Sequence, residues 1–92
     1  MTKVMANIKG DGVYMDVLNH ADDHDVCTII STLCNVLINA CLMHDVPPIE
    51  YKAGHVRIDV PNADDDVKAV FTAVYSQIMD VAAQYPDSIR IY

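Results

Sequence analysis

The chain has 92 residues, enough for one domain, and 52% of them are hydrophobic, which suits a folded core rather than a disordered segment. Thirteen acidic residues against six basic ones leave a net charge of −7; this argues against a nucleic-acid phosphate partner and suits a basic substrate or partner instead. Met1 to Val4 lacks the apolar core of a signal peptide, and Asn35, Asn39 and His44 interrupt the longest apolar run, so we expect a cytoplasmic protein with no membrane span.

Lys3 to Lys9 alternates, with Val4, Ala6 and Ile8 on one side, and Val13 to Asn19 alternates again, with Val13, Met15 and Val17 on one side. Gly10-Asp11-Gly12 between them is a hairpin signal. His20 falls just past the second strand, and residues 21 to 25 form a polar loop in which Asp25 is the expected helix N-cap. Val26 to about Met43 reads as a helix that is apolar nearly all round, through Val26, Ile29, Ile30, Leu33, Val36, Leu37, Ile38, Ala40 and Leu42. A helix of that kind is covered on more than one side, and in so short a chain a second subunit is the expected cover. Val46-Pro47-Pro48 ends it.

Ile49 to Ala53 and His55 to Val60 read as a second hairpin around Gly54, with Val56, Ile58 and Val60 inward and His55, Arg57 and Asp59 outward. Asp64-Asp65-Asp66 opens a second helix, where acidic residues suit the positive end of the dipole. Its stripe is Val67, Val70, Phe71, Val74, Tyr75, Ile78, Met79 and Ala82, and Tyr85-Pro86 stops it. Ser88 to Tyr92 is a last short strand. The order ββαββαβ over residues 1–92 makes one α+β domain, with two helices packed on a mostly antiparallel sheet.

Cys27 is the leading candidate for chemistry. It lies in the first turn of the first helix, where unpaired backbone N–H groups and the dipole favour a thiolate, the nucleophilic form. His20, seven positions earlier, is its candidate base or ion-pair partner. Asp25 is either a third member orienting His20 or simply the cap. Ser31, one turn after Cys27, either bonds within the site or bonds its own helix backbone. Cys34 and Cys41 follow at sevenfold spacing and read as small buried apolar residues. Their spacing forbids intrahelical disulfides and a shared metal, and with no C-x-x-C a thioredoxin-like role is not expected. His24, His44 and His55 stand without a signal. The cluster His20, Asp22, Asp23, His24 and Cys27 holds acceptable zinc ligands without a recognised metal spacing, so no metal is assigned. No Gly-rich phosphate loop is present, so no cofactor is expected.

These residues resemble a known family. A β-hairpin followed by His20-Ala21, a polar loop, Asp25-Val26-Cys27 and an apolar helix carrying Ser31 is similar to the ribosomal-processing cysteine proteases, and the ββαββαβ order extends the likeness over the whole chain. The resemblance implies a Cys–His dyad, a homodimer, and removal of a short N-terminal extension from a large-subunit ribosomal protein, or action on a related phage or host protein. The family's Gly-His-Ala reads Asn19-His20-Ala21 here, only six residues separate His20 from Cys27, and Thr28-Ile29-Ile30 stand where small residues usually follow the Cys. Two further readings stay open beside it. One is a catalytically inert homodimeric protein-binding module of the same fold. The other is a small metal-binding protein built on the 20–27 loop.

Overall fold

A computed structural model describes residues 1–92. The expected first hairpin is β1 (Thr2–Lys9) and β2 (Gly12–Leu18), paired antiparallel from Lys3 with Leu18 to Lys9 with Gly12. Gly10 makes the reversal at φ +61°, a left-handed conformation that costs a residue without Cβ little. Helix α1 (His24–Leu42) follows, then β3 (Glu50–Lys52) and β4 (His55–Val60), helix α2 (Asp65–Gln84), and β5 (Ile89–Ile91). The five strands form one sheet in the order β3-β4-β2-β1-β5. Three of its pairings are antiparallel, and β5 alone runs parallel to its neighbour β1.

Alternation decides which face each strand buries. Val4, Val13, Met15, Val17, Ile58, Val60 and Ile89 join a single core of 20 buried residues with both helices. Helix α1 supplies Val26, Ile30, Cys34, Leu37, Ile38 and Cys41 to it, and α2 supplies Val67, Phe71, Val74, Ile78 and Val81. A fully buried side chain of the size of Phe71 or Leu37 contributes roughly 1.5–3 kcal/mol, and both are at most 1% exposed. The predicted stripe of α2 is therefore right over most of its length, but Met79 faces solvent and Val81 takes the inward place.

Helix α1 departs from expectation in two ways. It begins two residues earlier than Val26, because Asp23 and not Asp25 is the N-cap: the Asp23 carboxylate accepts the backbone N–H of Asp25 at 2.9 Å and of Val26 at 3.4 Å. It is also 19 residues long and uncharged from Val26 through Met43, which by length and composition alone is enough to cross a bilayer. Its inner row is nonetheless built into the core, while Ile29, Val36, Leu42 and Met43 remain on its outer face.

Candidate functional site

The cleft lies at one end of the sheet. It is bounded by the end of β2, by the N-terminal half of α1 and by the β3–β4 hairpin, and its volume is about 260 Å³. Val17, Ile30, Cys34 and Val56 supply its apolar lining, and Cys27 and His20 sit among its polar residues.

Two backbone features deliver His20. Strand β2 ends at Leu18, and Asn19 then turns the chain at φ +69°, the left-handed region that glycine fills most easily and asparagine next. After glycine, asparagine is among the residues that take this conformation most readily, so it can make the turn that delivers His20. The Asn19 N–H donates to the Gly54 carbonyl at 2.8 Å, and the Asn19 carbonyl accepts from the Thr2 hydroxyl at 3.3 Å. Those bonds fix the chain on both sides of the turn. Gly54, itself at φ +81°, lies so close that a Cβ there would stand 3.5 Å from His20 Nε2. The ring thus has its Nε2 edge against the hairpin and its Nδ1 edge toward α1.

Cys27 Sγ lies 3.6 Å from His20 Nδ1. Either the thiol donates to a neutral ring or a protonated Nδ1 donates to a thiolate, and both are productive states of a nucleophile and its base. Cys27 is half-buried, whereas Cys34 and Cys41 are buried, as predicted for small apolar residues. Burial pushes the Cys34 thiol up to about 11, and raises Cys41 as well, so neither is poised as a nucleophile at neutral pH.

The remaining sequence candidates separate. Asp25 is exposed and bonds neither His20 nor Cys27; its own N–H is held by Asp23. Ser31 lines the cleft one turn along from Cys27, and its hydroxyl makes no bond to the helix backbone, unlike Thr28 and Thr32, which donate to His24 and Thr28 carbonyls. The unpaired N–H groups expected at the start of α1 are largely committed. Asp23 holds those of Asp25 and Val26 with its carboxylate, and the Cys27 N–H donates to the Asp23 carbonyl at 3.0 Å. A two-residue capping shift thus removes donors that the sequence alone places in the site. Of the possible zinc ligands His20, Asp22, Asp23, His24 and Cys27, only His20 and Cys27 meet.

Two polar clusters carry interactions that the sequence reading missed. His44, read as solitary, sits between the helices with Nδ1 2.9 Å from Asp64 and Nε2 2.8 Å from Asp66. Donor atoms of these three residues lie within 4.8 Å of one another. The Asp66 hydrogen bond, with the charges of Asp64 and Asp66, raises the His44 pKa, and the same bond lowers that of Asp66. On the helix-free face of the sheet, Asp16 is 1% exposed and bonds His55 Nε2 at 2.9 Å and Arg57 at 3.0 Å. Burial pushes the Asp16 carboxyl upward, but the bonds from Arg57 and His55 together outweigh it and hold it below its ordinary value. The available signal was register: Asp16 pairs with Arg57 across β2 and β4, with His55 two residues away on the same face.

Comparison with solved structures settles the fold. The chain aligns with the crystal structure of the essential ribosomal processing protease Prp from S. aureus bound to a covalently linked product peptide, at a TM-score of 0.83 and 21% identity over 99% of this chain and 97% of that one. A second Prp structure from S. aureus, in complex with a substrate peptide, aligns at 0.82 and 22% over 100% of this chain and 98% of that one. The chain has the Prp fold. No protein-family model matches the sequence, and no curated protein is similar to it at the level of sequence.

Proposed function

We propose that this chain is a cysteine endopeptidase of the Prp type, with Cys27 as nucleophile and His20 as its base. The observation that carries the reading is the 3.6 Å Sγ–Nδ1 contact inside an open cleft of about 260 Å³. The shared fold supports it, since the aligned S. aureus protease holds peptides in its own complexes.

In this mechanism His20 Nδ1 takes the Cys27 proton, and the thiolate attacks a peptide carbonyl. The new C–S bond forms as the carbonyl becomes an oxyanion. With the first backbone N–H groups of α1 occupied by Asp23, the free Ser31 hydroxyl is the donor assigned to that oxyanion. On collapse the C–N bond breaks and His20 returns the proton to the leaving amine, after which water hydrolyses the thioester. Asp25 acts only through charge: with Asp22 and Asp23 it forms an exposed acidic rim beside the dyad, which suits a basic substrate segment.

The substrate is proposed to be a short N-terminal extension of a large-subunit ribosomal protein, or a related phage or host protein. The enzyme is proposed to work in the cytoplasm, where its three free thiols suit a reducing compartment, and as a homodimer. The dimer is supported by the outward apolar side chains of α1, among them Val36, and Met43 at 79% exposure. Incubating the protein with synthetic precursor N-termini and weighing the products tests the proposal. One cut by the native chain and none by Cys27→Ala, with an unchanged thermal melt, is the expected result. Cleavage by Cys27→Ala would defeat it.

A second reading keeps the fold and the cleft but makes the chain a non-catalytic homodimeric peptide-binding module. The commitment of the helix-start N–H groups to Asp23 favours it. A peptide that binds with no cleavage and no thioester would select it.

A further inference from the structure

The cleft has a length and a direction that the dyad alone does not require. Along one wall Cys27, Ser31 and Asn35 are spaced four residues apart, so they form a single row up α1. From Cys27 to Asn35 the row climbs about 12 Å at 1.5 Å per residue. The opposite wall is the edge of the sheet: β3 pairs with β4 and with no other strand, which leaves its outer N–H and C=O groups free. At the far end the two walls meet, where the Tyr51 hydroxyl of β3 donates to Asn35 Oδ1 at 2.8 Å. That bond leaves the Asn35 NH2 without a protein partner and holds it at the groove, beside a Tyr51 ring that is 58% exposed.

We infer that Asn35 and Tyr51 form a substrate-positioning subsite that binds the acyl side of an extended peptide, three to four residues from the scissile bond. The inference rests on the protease reading above and specifies how that site holds its substrate. The distance follows from geometry, since an extended chain advances about 3.3 Å per residue and so needs between three and four residues to cover the row. The direction follows from the chemistry. His20 must reach the leaving nitrogen, so the amine side of the scissile bond points toward the His20 loop and the acyl side runs away from it, past Ser31 toward Asn35. A strand laid there completes its backbone hydrogen bonds on β3, and the Asn35 amide donates to one of its carbonyls.

Alanine-based peptidyl chloromethyl ketones of one to four residues test this directly. The Cys27 thiolate attacks their chloromethyl carbon, the S–C bond forming as the C–Cl bond breaks and chloride leaves, and their residues occupy only the acyl side. The rate constant at Cys27 is expected to step up roughly five- to tenfold as the third and fourth residues are added, the effect of about one hydrogen bond. Asn35→Ala and Tyr51→Phe should remove the step. A native protein with no length dependence, or an undiminished step in Asn35→Ala, would overturn the subsite. A second measurement is independent of the dyad: acetyl-tetra-alanine amide titrated into Cys27→Ala should shift the Asn35 side-chain NH2 and the β3 amide signals in NMR. Shifts there together with an unreactive Cys27 would defeat the protease reading and keep the groove, whereas an absence of shifts would defeat the groove.

Discussion

A histidine stands beside each end of α1, His20 before it and His44 after it, and the two are partnered differently. At the start, His20 comes from the end of β2 and meets a half-buried thiol at 3.6 Å, with one ring nitrogen turned to sulfur and the other to the hairpin backbone. At the finish, His44 has both nitrogens within 2.9 Å of carboxylates from the start of α2. The second arrangement requires both N–H groups and therefore the imidazolium; it ties the end of one helix to the beginning of the next. The first suits the proposed dyad, in which the ring takes and returns a proton. What separates the histidine proposed to do chemistry from the one that ties the helices is thus the partner each is given. Two carboxylates hold a charge on His44 in place, whereas His20 faces a single thiol, the partner that the proposed dyad requires.

Replacing one histidine at a time should break this comparison most sharply. His20→Ala is expected to lower kcat/KM for a cleaved peptide by about 10²–10⁴-fold, the range of a lost general base. His44→Gln should leave turnover within about twofold, since it lies at the opposite end of α1 from the cleft. Steady-state kinetics on the two variants decides it, and equal losses would mean that the two ends are not independent.

Thiol chemistry sharpens the same contrast along the helix. In the native protein iodoacetamide should modify Cys27 first, and His20→Ala should change that rate and its pH dependence. Cys34 and Cys41 should label only after unfolding, because burial raises both thiols. Mass spectrometry at each cysteine reads this, and early labelling of Cys34 would show that the core opens more readily than its packing implies.

The far end of α1 should reveal itself through pH. The His44 pKa is raised in the folded state, so its contribution is fully present below the unfolded value of about 6.5 and is lost as pH rises through the folded value. The Asp66 pKa is lowered, so the same tie weakens on the acid side only as pH falls through its folded value. Urea midpoints in the native chain should therefore fall as pH rises above about 6.5 and through the raised folded value, and this fall should be absent in His44→Gln.

The smallest effect is expected at Asn19. Asn19→Gly removes a side chain from a left-handed position and should change stability by no more than about 1 kcal/mol in either direction, the strain relieved being offset by greater freedom of the unfolded chain. A larger loss, measured by urea unfolding, would show that the Asn19 side chain holds the loop itself.

Much of this protein was legible in its sequence. Period-two alternation in β2 and β4 and the helical stripe of α2 place most of the core, since a strand shifted by one residue would expose every apolar side chain it carries, whereas in β1 only Val4 of the expected apolar side is buried and Ile8 is exposed. The seven-residue step from His20 to Cys27, straddling a strand end and a helix start, likewise marked the pair that meets in the cleft. Tertiary structure decided matters that depend on residues distant in the chain or on a single backbone turn. The cap fell on Asp23 because its carboxylate, and not that of Asp25, reaches the Asp25 and Val26 N–H groups, and that shift closed donors the sequence had left open. Asp16 became a buried charge only because β2 and β4 set Arg57 and His55 against it, and Asn35 became part of a groove only because the Tyr51 hydroxyl reaches it from the edge strand. Local periodicity selects elements, because burial of a continuous face is a short-range pattern. Hydrogen-bond partners are chosen only after those elements pack, because each choice depends on which groups the fold brings within about 3 Å.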